Sequence, residues 1–232
     1  MTLVRKGEVL KMSTKTVSIL AAISGILGSL MLGLSFSINY GPPLNSTTAQ
    51  MIAFNHQHFA MNLWGAWLQA IGPVFIILFA LHLVFLAGAN TRVAGWMTFF
   101  GAITLMTVSL IEIVFYISSL YDTPAVMAQI GYELISAVQH LYFIVATPAF
   151  FIPLGIVVLT SGVLPRSLGY LALLLGAAFA VAGVATVLSL QVPILIQLFA
   201  SVQLLWWLAA AITLIVRVTR ASAITLVKEQ TA

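Results

Sequence analysis

Glu112 is the one carboxylate set inside an apolar run of this 232-residue chain. Gln139 and His140 lie within another such run, and Gln69 and Gln197 within two more. A carboxylate and an imidazole at matched depth in an apolar surrounding can exchange a proton, hold a cation or grip a small polar ligand, and side-chain amides can orient it. These five residues form one constellation. A second is His56-x-His58, which together with His140 and Glu112 would supply nitrogen and oxygen ligands suited to zinc. Spacing alone supports it weakly, because H-x-H in a loop does not fix its distance from His140. Zinc is the one metal these residues suggest, and no other cofactor is expected. His82 and His140 lie toward opposite ends of their apolar runs, which rules against a shared haem. The chain has no cysteine, so thiolate metal sites, thiol catalysis and disulfides are out. It also shows no phosphate loop, no nucleophile–base motif and no paired catalytic carboxylates. An intramembrane metal-dependent enzyme is therefore the least favoured reading.

The elements that must position these residues are set by composition. Hydrophobic residues make up 62% of the chain and charged residues 6%. A soluble domain needs a far more charged surface. The apolar residues come in runs of about 20 or more, the length that crosses a hydrocarbon core of about 30 Å. The expected fold is all-α: a polytopic membrane protein with six transmembrane helices in one bundle, a single domain over residues 1–232. The spans are expected at about 16–38, 63–88, 93–120, 133–160, 167–190 and 194–216, with a short interfacial helix over 47–61 carrying His56 and His58. Tyr121 to Tyr132 is expected to be a loop.

All nine basic residues, Arg5, Lys6, Lys11, Lys15, Arg92, Arg166, Arg217, Arg220 and Lys228, fall in the termini or in the second and fourth loops. By the positive-inside rule both termini are expected in the cytoplasm. The net charge of +4 is then an orientation signal, and no nucleic-acid partner is expected.

At about 1.5 Å of rise per residue, Glu112, His140, Gln69 and Gln197 all fall in the outer half of their helices. Polar groups at that depth face the bundle interior or a water-filled cavity, so a polar vestibule open to the outside is expected. Glu112 must be protonated, paired or wet. No Lys or Arg reaches its depth, which leaves His140 as the candidate cation. Pro73 is expected to kink the second helix, and Pro148 and Pro153 to break the fourth. Ala21, Gly25, Ser29 and Gly33 recur every fourth residue and offer a close-packing face. Arg92-x-x-Gly95-Trp96 leading to Gly101-Ala102 echoes Arg166-x-x-Gly169-Tyr170 leading to Gly176-Ala177, the pattern of a repeated hairpin.

Ser161-Gly162-Val163-Leu164-Pro165-Arg166-Ser167-Leu168-Gly169, between the fourth and fifth spans, resembles the S-G-x-L-P-R-x-L-G pattern of the bacterial domain-of-unknown-function 4386 family of six-helix membrane proteins. Length and helix count fit across the chain, though this motif alone is specific. The family pattern has an aspartate near the start of the fourth helix, where this chain has Glu133, Gln139 and His140. The resemblance implies a multi-pass protein of the bacterial inner membrane and carries no activity with it. Two function classes follow from the residues. One is a protein that binds or transports a small molecule or proton through an outer-half polar pocket. The alternative is a structural or assembly protein without a ligand, with the lipid bilayer as its partner and homo-oligomer contacts through its small-residue faces.

Overall fold

The computed structural model describes residues 14–39, 41, 46–121, 124–188 and 193–230. Among them there is helix, turn and no strand. The helices are α1 (Thr14–Ile38), α2 (Thr48–Gln57), α3 (Phe59–Leu86), α4 (Val93–Leu120), α5 (Ala125–Leu141), a π-helical turn (Tyr142–Ala146), α6 (Thr147–Ser161), α7 (Arg166–Val187) and α8 (Pro193–Gln230). Six helical stretches are long and apolar enough to cross a membrane, with α5, the π turn and α6 supplying one of them over Gln129–Ser161. The large apolar side chains left on the outside, such as Leu20, Leu27, Leu34, Leu78, Phe100 and Leu174, suit lipid and not water. The chain is a multi-pass helical membrane protein.

Neighbouring packing runs α1–α3–α4–α6–α7–α8 and back to α1, a closed ring of six helices. Phe79, Phe150, Phe151, Trp206 and Trp207 fill the middle of the ring, all essentially inaccessible. Trp207 touches Phe79, Phe150 and Phe151 at ring-centroid distances of 6.2, 5.6 and 5.1 Å. The Trp206 indole N–H donates to the Leu168 carbonyl at 2.8 Å, which ties α8 to α7.

Glycines set the closest helix approaches. A Cβ on Gly28 would lie 2.8 Å from the Gly72 carbonyl oxygen, and one on Gly155 would lie 2.9 Å from that of Gly169. The small-residue face of α1 is thus occupied within the chain, against α3 and against Ala211 of α8. The echo between the two hairpins is only partial in three dimensions. Gly95 and Gly169 each pack on the end of the preceding span, whereas Gly101 and Gly176 both pack on α6, from opposite sides. For Gly101 that is not the helix that precedes it.

One end of the bundle carries the start of α1, the end of α3, the α6–α7 turn and the Arg217 end of α8, because Thr14, Lys15, Leu86, Val163 and Arg217 line one cleft there. We call it the terminal end and its opposite the distal end. At the α6–α7 turn Gly162 adopts φ +68°, a left-handed cap that favours glycine. Arg217 Nη1 donates to the carbonyls of Gly162 (2.7 Å) and Val163 (3.1 Å).

Several boundaries differ from expectation. The span expected from Leu63 begins at Phe59, and the one expected from Glu133 begins at Ala125, so most of the expected 121–132 loop is helical. The last helix runs to Gln230 and not to Val216. Hydropathy marks where apolar side chains stop, while the hydrogen-bonded backbone continues past that point. Helix α2 opens on a capping box, in which the Thr47 N–H donates to Gln50 Oε1 at 2.8 Å and Thr47 Oγ1 accepts from the Gln50 N–H at 3.3 Å. It ends at Gln57, so it carries His56, while His58 forms the joint to α3. The prolines do not cut their helices. Pro73 and Pro153 lie inside continuous α3 and α6. Pro148 follows closely on the π turn within continuous helical backbone, and that widened turn takes up the irregularity. Gly41 is described, but the Pro42-Pro43 turn lies outside the described residues.

Candidate functional site

Along α4, residues 105, 108, 109, 112, 116 and 119 follow the three–four spacing of one helical face. That face turns toward the bundle, with Leu105, Val108 and Ser109 buried and Glu112 and Tyr116 half-buried. Glu112 is met there by α5, where Gln139 Nε2 donates to Glu112 Oε1 at 2.9 Å. His140 is not its partner. The His140 ring pairs through Nδ1 with the Ser136 carbonyl of its own helix at 2.6 Å. Consecutive helical residues point about 100° apart, and it is the Gln139 side chain that reaches Glu112. The carboxylate is thus held by a neutral amide donor, and no cation pairs with it among the described residues.

One residue beyond α5 the backbone widens into the π turn, whose closing bond runs from the Thr147 N–H to the Tyr142 carbonyl. The turn aims the Tyr142 hydroxyl at α8, where it donates to Oε1 of the buried Gln203 at 3.0 Å. Thr147, fully buried, lies at the end of the π turn beside the Tyr142 side chain. π turns of this kind recur at functional sites because they re-aim side chains that an α-helix would bury elsewhere.

Toward the distal end a second polar layer sits above Glu112. Tyr116, one turn along α4, has its hydroxyl 3.1 Å from the Asn39 side-chain amide. Asn55 of α2 is buried, and its Nδ2 donates to the Ser119 carbonyl (2.9 Å) and to the Tyr132 hydroxyl (2.7 Å). The buried Ser35 hydroxyl donates to the Gly65 carbonyl at 2.9 Å. Asn62, only 1% exposed, has neither its side-chain oxygen nor its nitrogen paired among the described residues. Buried polar atoms are rarely left so. Helix α4 therefore carries a polar stripe, Glu112–Tyr116–Ser119, that runs toward its distal end, where Ser119 is buried under Asn55 of α2.

Sequence reasoning missed Asn39, Asn55, Asn62, Tyr116, Ser119 and Tyr132. Asn62 reads as part of a solvated loop until α3 is seen to start at Phe59. Tyr116 reads as one more aromatic in an apolar run. The signal that could have found the layer is the α4 periodicity, which places Tyr116 and Ser119 four and seven residues after Glu112.

The remaining expected residues are dispersed. Gln69 is half-buried on α3, one turn before Pro73, and the side chain of Gln197 lies outside the described residues. His56 is exposed on α2, and His58 packs its ring 4.5 Å from that of Phe54. Among the described residues no three His, Asp or Glu side chains gather as metal ligands would. The expected zinc set of His56, His58, His140 and Glu112 is not assembled. His82, at the other end of α3, lies 3.2 Å from the Ser18 hydroxyl through Nε2. No protein family, curated protein or solved structure matches the chain.

Proposed function

We propose that this protein binds a small polar molecule or a proton in the distal half of its bundle, with Glu112 as the group that takes up charge. The observation that carries the reading is the Glu112–Gln139 bond between α4 and the stretch of α5 that leads into the π turn. A carboxylate in an apolar layer, held by a single neutral donor, is costly if ionised, roughly 2.5–3.5 kcal/mol on insertion scales for Asp at a helix centre. Such a group is retained where it exchanges a proton or meets a ligand. The polar stripe through Tyr116 and Ser119 leads from Glu112 toward the distal end, and the Asn62 amide, unpaired among the described residues, supplies a further donor and acceptor there. We further propose the cytoplasmic placement of both termini, on the positive-inside pattern, and a bacterial inner-membrane location and membership of the domain-of-unknown-function 4386 family, on the turn motif. The alternative, a structural or assembly protein without a ligand, draws less support because Gly25 on the small-residue face of α1 is already packed against α3 and α8.

Infrared titration of the protein reconstituted in lipid tests the reading. A protonated-carboxyl band that responds to pH in the wild type and vanishes from the Glu112→Gln difference spectrum is expected. The site is structural only if the two proteins give the same pH response.

A further inference from the structure

We propose that the open cleft at the terminal end is a binding site for one anionic phospholipid. The cleft, about 390 Å³, lies between the start of α1, the end of α3, the α6–α7 turn and α8, and is lined by Thr14, Lys15, Ser18, Leu86, Val163, Leu214, Arg217 and Val218. Its chemistry divides in two. Leu86, Val163, Leu214 and Val218 form an apolar wall suited to an acyl chain. Lys15 and Arg217 supply two cations, and among the described residues no carboxylate lines the cleft. The acidic side chains whose positions are described, Glu112 and Glu133, belong to the distal half, so nothing described neutralises this pair locally.

Arg217 is already positioned. Its Nη1 is spent on the Gly162 and Val163 carbonyls, which fixes the guanidinium plane at the rim and, among the described residues, leaves Nε and Nη2 as a fork for phosphate oxygens. Lys15 offers an ammonium from α1. Ser18 adds a polar floor, its hydroxyl donating to the Thr14 carbonyl at 2.8 Å beside His82. Two cations over an apolar wall at a helix end facing headgroups match a diacyl lipid of net negative charge. They do not match a zwitterionic lipid, whose own cation would be unpaired. The site is separate from Glu112 and does not depend on its role.

Native mass spectrometry of the intact protein in non-ionic detergent, with equimolar phosphatidylglycerol and phosphatidylcholine, tests it. Selective retention of phosphatidylglycerol is expected. Lys15→Gln and Arg217→Gln should each weaken retention about fivefold, the effect of one cation near a charged headgroup. Arg92→Gln, a basic residue at the same end that does not line the cleft, should leave it unchanged. Leu214→Trp, which fills the wall with both cations intact, should also abolish retention and so covers the case in which Arg217→Gln loosens the turn. Equal retention of both lipids, an equal loss in Arg92→Gln, or displacement of the lipid by inorganic phosphate would each overturn the proposal.

Discussion

The Tyr142 hydroxyl and the Gln203 carboxamide are joined at 3.0 Å across the gap between the π turn and α8, and this bond fixes where the widened backbone points. Tyr142→Phe leaves Gln203 Oε1 buried and unpaired, whereas Tyr142→Phe with Gln203→Leu removes both partners. A double-mutant cycle on thermal unfolding in detergent should return a coupling of about 0.5–2 kcal/mol, the range for an interhelical bond in a bilayer. A coupling near zero would mean that the turn is held by packing of Tyr142 and Phe143 on Phe179 alone.

Pro148→Ala returns a backbone N–H to the first turn of α6 and allows the π turn to relax to α-helical spacing. Loss of the extra residue would rotate α5 by about 100° relative to α6, swinging Gln139 off Glu112. The variant should be as heat-stable as the wild type yet show an altered Glu112 infrared signature. An unchanged carboxyl signature in a stable variant would show that the π turn does not position Gln139.

Asn62 is buried with its amide unpaired, so Asn62→Leu should stabilise the fold by about 1 kcal/mol or more, measured by thermal unfolding. If Asn62 serves the distal site, the same variant should also change the pH response of Glu112. Destabilisation instead would reveal a partner for the amide, such as a bound water.

Gly28 and Gly33 lie on one helix but differ in surroundings. A Cβ on Gly28 meets the Gly72 carbonyl and the Ile76 backbone at 2.8–2.9 Å, while one on Gly33 meets only Leu204 Cδ1 at 3.9 Å. Gly28→Ala should cost roughly 1–3 kcal/mol by overpacking, and Gly33→Ala close to nothing. Equal losses of melting temperature would mean that the α1–α3 seam is looser than the structure has it.

A reporter fused after Ala232 should signal cytoplasm, and one inserted near Ser46 the opposite side of the membrane. The reverse pattern would overturn the proposed orientation.

The six spans are legible in the sequence because an apolar run of about 20 residues has few other ways to satisfy its backbone. Glu112 is legible because it is alone in such a run. Its partner is not, because counting residues gives depth along a helix but not the direction a side chain faces. That direction separates Gln139 from His140. The π turn is equally hidden, since Pro148 announces an irregularity without saying whether the backbone breaks or widens. Asn55 and Asn62 stay out of view because the short α2 and the early start of α3 draw apparently solvated residues into the packed end of the bundle. His56 and His58 look paired in sequence, yet the end of α2 falls between them.

The five packed rings of Phe79, Phe150, Phe151, Trp206 and Trp207 have a consequence for traffic across the membrane. They fill the middle of the ring, so under the proposed function the stripe from Ser119 through Tyr116 to Glu112 would be a cul-de-sac and not a corridor. A proton or solute taken up at Glu112 by that proposed route would go back the way it came. Passage to the terminal end would require the rings to swing aside, and with Trp206 tied to Leu168 such a movement would drag α7 along with α8.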